Sequence, residues 1–131
     1  MKTQSDYAAH LEECLLMMLT NAAFYLELAG KNIHPCLSGM LENFSRILEK
    51  HTLSVSEMLE NANAPHLNPA YLKNATDNPK ADLEMAVDDI YTLKTRLLYL
   101  SAYAPDASTR QKLIKITSDV ALIADFLSSV F

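Results

Sequence analysis

Apolar residues recur along the first part of the chain at steps of three and four: Tyr7, Leu11, Cys14, Met18, Ala22, Tyr25 and Ala29. That spacing keeps side chains on one face of an α-helix and predicts a helix over about residues 5–29, with Ser5 as its N-cap and Gly30 as its stop. A second apolar row, Ala8, Leu15, Leu19, Ala22 and Leu26, widens the stripe beyond the needs of a single packing seam. A helix with so broad an apolar surface is central to its bundle or paired with another subunit. The same spacing returns in Leu37, Leu41, Phe44, Leu48, His51, Val55, Met58 and Ala62, which predict a second helix over about 35–61 with Pro35 in its first turn. Leu83, Ala86, Ile90, Leu93, Leu97 and Leu100 predict a third over about 79–103, and Leu113, Ile116, Val120, Ile123, Leu127 and Val130 a fourth over about 107–129.

Between the second and third patterns the periodicity stops. Asn61 to Pro79 holds three prolines and five asparagines, residues of turns and caps, and predicts a linker over 62–78. Four amphipathic helices, two short turns and one long linker imply an all-α fold, a four-helix bundle forming a single domain over residues 1–131. Helices 1 and 2, and helices 3 and 4, are expected to be antiparallel neighbours. The linker, at about 3.3 Å per extended residue, reaches further than any of the helices is long, so it permits both an up-down-up-down order and a crossover between helices 2 and 3.

Charge narrows the function classes. The chain has a net charge of −5 and its Lys and Arg residues are scattered, which speaks against a face that tracks a nucleic-acid backbone. The run Cys14 to Ala29 is short for a membrane span and is interrupted by Asn21 and Glu27, so it reads as a buried helix. The first residues lack the basic-then-apolar pattern of a secretory signal, and two cysteines, 14 and 36, make neither a CxxC pair nor a disulfide framework. A cytoplasmic location is expected. Arg110, Lys112 and Lys115 stand near the positive end of the fourth helix, against the dipole preference, where they are either a solvated basic turn or a site for an anion.

His51 is the one polar intruder in the second helical row. Folding the first two helices about a turn near residue 32 or 33 sets Cys14 level with His51, with His10 one turn away. His10, Cys14 and His51, joined by His66 or Glu13, are therefore the candidate metal ligands, of types that suit zinc or another borderline metal. A packed histidine beside a core thiol, bonded to a serine or a carbonyl, accounts for the same residues without a metal. Glu-x-x-His, which a ferritin-like di-iron bundle needs on two helices, occurs nowhere in the chain.

Two stretches around His51 carry family resemblances. His51-Thr52-Leu53 resembles the start of the His-x-Leu-Lys-Gly motif of histidine phosphotransfer domains, with Ser54 and Val55 where the motif has lysine and glycine. Arg46 to His51 is similar to the Arg-and-His spacing of HEPN ribonucleases, with Ile47 where that family usually has a polar residue. The first resemblance implies a phosphate-carrying His51, the second an RNA-cleaving pair Arg46 and His51. No glycine-rich phosphate loop, Gly-x-Ser-x-Gly or His-Glu-x-x-His is present, and no catalytic pair stands out.

The positive signal that remains is surplus apolar surface. Leu15, Leu16, Met17, Met18 and Leu19 follow one another, so some must point away from a single core. The expectation is a non-enzymatic interaction protein (adaptor, chaperone or regulator) acting as a homodimeric bundle, with an apolar helix groove for a protein partner and no cofactor. The competing expectation is a metal- or small-ligand-binding bundle centred on Cys14 and His51.

Overall fold

The computed structural model describes residues 4–31, 34–61 and 75–130, and its helices are α1 (Gln4–Ala29), α2 (Pro35–Asn61), α3 (Pro79–Ala102) and α4 (Ala107–Ser129). These bounds fall within one residue of those read from the periodicity. The described residues are all-α, without strands. Gln4 is already helical, so Ser5 lies inside α1 instead of capping it.

The other helix starts carry side-chain caps. His34 Nδ1 accepts from the Cys36 N–H at 3.2 Å at the head of α2. Asn78 accepts from the Ala81 N–H at 3.2 Å before Pro79, and Asp106 accepts from the Thr109 N–H at 2.7 Å at the head of α4. Each satisfies one of the amides that a first helical turn leaves unpaired. Asp82 belongs to the same device. Although it resembles a surface charge of the first turn, it is 1% exposed and accepts from the N–H and hydroxyl of Thr76 at 2.8 and 2.9 Å. It thereby anchors the chain entering α3.

The helices form a square in which α1 touches α2 and α3, and α4 touches α3 and α2. All four neighbouring pairs are antiparallel. Ser45 Oγ donates to the Ala22 carbonyl across α1 and α2, and His10 and Glu13 meet Tyr99 and Arg96 across α1 and α3. Phe44 meets Phe126, and His51 meets Asp119, across α2 and α4. The diagonal helices α2 and α3 therefore run parallel. Asn61 stands at one end of the bundle while the Ala75 N–H bonds to Glu27 at the other, so the connection between α2 and α3 is a crossover.

One core fills the square, with Leu11, Met18, Leu28, Leu48, Leu97 and Leu113 all fully buried. Burying each such side chain contributes about 1.5–3 kcal/mol, so the aligned apolar rows supply the main drive for assembly. No helix among the described residues is long and apolar enough to cross a membrane.

Candidate functional site

His51 faces inward, as its place in the α2 row requires, and is 7% exposed. Its partner is neither a serine, a carbonyl nor a thiol. Nε2 donates to Asp119 Oδ2 on α4 at 2.6 Å, and Lys115 Nζ donates to the other carboxylate oxygen at 3.3 Å. An ionised carboxylate only accepts, so this bond puts a proton on Nε2. Burial pushes the Asp119 carboxyl up, but the bonds from His51 and Lys115 outweigh it and hold the group below the usual carboxylate range. The register is regular, since Phe44 packs on Phe126 two helical turns from the His51–Asp119 pair, seven residues along each helix.

Beside this pair α2 and α4 flank an open groove of about 390 Å³. Lys50 and Ser54 form its α2 wall, and Ser108, Gln111, Lys112 and Lys115 its α4 wall, with His51 and Ile116 also lining it. No carboxylate lines the groove itself.

The candidate metal ligands occupy different seams. Cys14 is fully buried, and the charges that reach its thiol are Arg96 on α3 and Glu13 on its own helix, whereas His51 looks across to α4. Burial is the main reason the Cys14 thiol is pushed up to about 12, with Glu13 adding to the rise and Arg96 opposing it. His10 lies against the Tyr99 ring, with centroids 4.6 Å apart, and Glu13 pairs with Arg96. Among the described residues no three His, Cys, Asp or Glu side chains gather as a metal site would require. His66 lies outside the described residues.

The two motif resemblances acquire geometry as well. His51 is buried with Nε2 committed to Asp119, which leaves little of the ring for an incoming phosphodonor domain. Arg46 is exposed, and five helical residues place it about 140° around α2 from the buried His51, so the two do not share a face.

A second surface stands on the opposite diagonal, the outward side of α1. Leu16, Leu19, Ala23 and Leu26 fall in an arc of about 80° at 100° per residue, with spacings of three, four and three. Leu16 is 9% exposed, Leu19 40%, and Leu26 48%, and Ala23 is exposed between them. Leu19, Ala23 and Leu26 thus face outward at coiled-coil spacing, and Leu16 heads the row from a buried position. Glu12 precedes the row and Lys31 follows it, while Glu27 beside it is turned to the Ala75 N–H at 3.0 Å.

No protein-family model matches the chain, and no curated protein matches it.

Proposed function

We propose that this bundle is a non-enzymatic interaction protein, of the adaptor, chaperone or regulator kind, that pairs with a second copy of itself through the outer face of α1. The observation that carries this reading is the outward row Leu19, Ala23 and Leu26, with the buried Leu16 at its head. An apolar row at coiled-coil spacing is stabilised by burial against another helix.

The row is complementary to itself. In an antiparallel pair with its two-fold axis near Asn21, Leu19 meets the second copy's Ala23, a large side chain against a small one, and Leu26 lies at the level of the second copy's Leu16, of which only an edge is exposed. The same register sets Glu12 within one residue of the level of the second copy's Lys31, so the ends of the contact are oppositely charged. With Glu27 directed to Ala75, the acidic side chains of α1 do not oppose the pairing. The fold thus supports one helix serving two cores, its own and a shared one. Cys14 and Cys36, both free, suit a reducing compartment, the cytoplasm.

Sedimentation equilibrium at about 10 μM, a concentration that populates dimers of ordinary micromolar affinity, tests the reading. The expected mass is twice 14.6 kDa. The double variant Leu19→Glu/Ala23→Glu should sediment as a monomer with an unchanged helical circular dichroism spectrum, because neither side chain belongs to the internal core. A wild-type protein that stays monomeric at about 100 μM would sink the proposal.

A further inference from the structure

We propose that the groove between α2 and α4 binds a small phosphorylated ligand, a diphosphate or a phosphate ester, through Lys50, Lys112 and Lys115. The first support is charge against background. The chain carries a net charge of −5, yet three of its eleven Lys and Arg residues line this one groove and no carboxylate does. Lys112 and Lys115 stand about one turn apart on the same wall of α4. An anion between the walls would relieve the repulsion among the three cations.

Two acids bear on the groove's cations. Asp119 accepts from Lys115 as well as from His51 and offsets part of the positive charge on the α4 wall, which makes Lys50 and Lys112 the principal donors. Asp106 sits near Lys112, but its carboxylate caps the Thr109 amide. The helix end is consequently not the binding element, and the donors are side chains. Lysine ammonium groups are compact point charges with three donors each, well suited to phosphate oxygens. Ser54, Ser108 and Gln111 add neutral donors on the same walls.

The groove is open to solvent, so the number and spacing of its charges, and not enclosure, select within the anions. The cations are divided between two helices, Lys50 on one wall and Lys112 and Lys115 on the other, which fits two linked anionic groups or one anionic group with an organic substituent. The His51–Asp119 pair acts as positioning groups, since Asp119 holds Lys115 on the α4 wall.

The test is titration of the isotopically labelled full chain with sodium pyrophosphate, and separately with inorganic phosphate, at about 20 mM salt, where screening is weak. Saturable shifts are expected at the amides of residues 50–54 and 108–116, with pyrophosphate the tighter ligand. Lys50→Gln/Lys112→Gln should weaken pyrophosphate binding by roughly tenfold or more, because it removes a charge from each wall. Lys80→Gln/Lys94→Gln, with the same net charge but away from the groove, should leave it within about twofold. Neither pair touches Lys115 or Asp119, and thermal melts confirm that both variants fold. Absence of saturable binding at millimolar pyrophosphate, equal losses in the two double variants, or phosphate binding as tightly as pyrophosphate would each overturn the proposal.

Discussion

Replacing Asp119 by alanine tests the reading of the α2–α4 seam most directly. The wild-type carboxylate accepts from a 7%-exposed imidazole at 2.6 Å and is itself 23% exposed in its side chain. Removal leaves the Nε2–H of His51 buried without an acceptor, the costly half of any hydrogen-bond deletion, and the loss should be about 2 kcal/mol. For 131 residues, with an unfolding entropy of about 2.1 cal/mol/K per residue, that corresponds to a fall in Tm of roughly 7 °C. The folded-state pKa of Asp119 lies below its unfolded value. Its contribution is therefore fully present above about pH 4 and disappears as the pH falls through the lower folded value. Urea denaturation from pH 7 to pH 3 should show the gap between wild type and Asp119→Ala persisting to about pH 5 and closing below about pH 4. In a His51→Leu background, where no buried N–H is stranded, Asp119→Ala should cost at least about 1 kcal/mol less. Equal costs in the two backgrounds, or a loss under about 0.5 kcal/mol in wild type, would refute the assignment of Asp119 as the partner that holds His51 in place.

Other predictions concern the core and the thiols. Leu97 is fully buried, and Leu97→Ala should lower stability by about 3 kcal/mol in urea titration, through lost transfer energy and a residual cavity. The Tyr25 hydroxyl is buried without a hydrogen-bond partner, and burial pushes its ionisation well above the usual tyrosine range. Tyr25→Phe should therefore be neutral or stabilising in a thermal melt, and a loss above about 1 kcal/mol would show that the hydroxyl has a partner in solution. Cys36 is exposed, while Cys14 is buried with its thiol pushed up to about 12. A colorimetric thiol reagent at pH 8 should modify one cysteine in the native protein and both in denaturant, because the thiolate is the reactive form.

The helices were legible because a helical period is a local property, and the main row of each helix is buried as a stripe, whereas the second row of α1 leaves Leu19 and Leu26 exposed. His51 belonged to such a row and faces inward for that reason. Its partner was out of reach for a nonlocal reason. Pairing His51 with Asp119 requires α2 and α4 to be antiparallel neighbours, which follows only from the crossover, and a long linker allows either topology. The register that set Cys14 level with His51 concerned height along the helices. It carried no information on which side of the core each side chain faces, and the crossover puts α3 beside α1 and α4 beside α2. Asp119 did leave a trace, an acid four residues after Lys115 on the flank of the Ile116 and Val120 row, but the same trace describes an ordinary surface ion pair. Asp82 was missed on similar grounds. An acid in a first turn complements the dipole whether it points outward or back to Thr76, and only the path of the preceding chain distinguishes the two.

The crossover also fixes how the two proposed surfaces relate. The dimer row lies on α1 and the lysine groove between α2 and α4, and α1 and α4 occupy opposite corners of the square. A two-fold pair formed through α1 therefore carries its two grooves on outer sides, each complete within one chain. A ligand bound there touches no residue of the shared row, and a ligand shifts an equilibrium only as far as it distinguishes the two states. Dimer dissociation measured by sedimentation should accordingly change by less than about threefold when pyrophosphate is added at saturation, and linkage requires pyrophosphate affinity to be the same in the dimer and in the monomeric Leu19→Glu/Ala23→Glu variant within that factor. A larger change would mean that the bundle shifts between two packings across its diagonal, with α1 and α4 moving together, and the two surfaces would then belong to one switch instead of two independent sites.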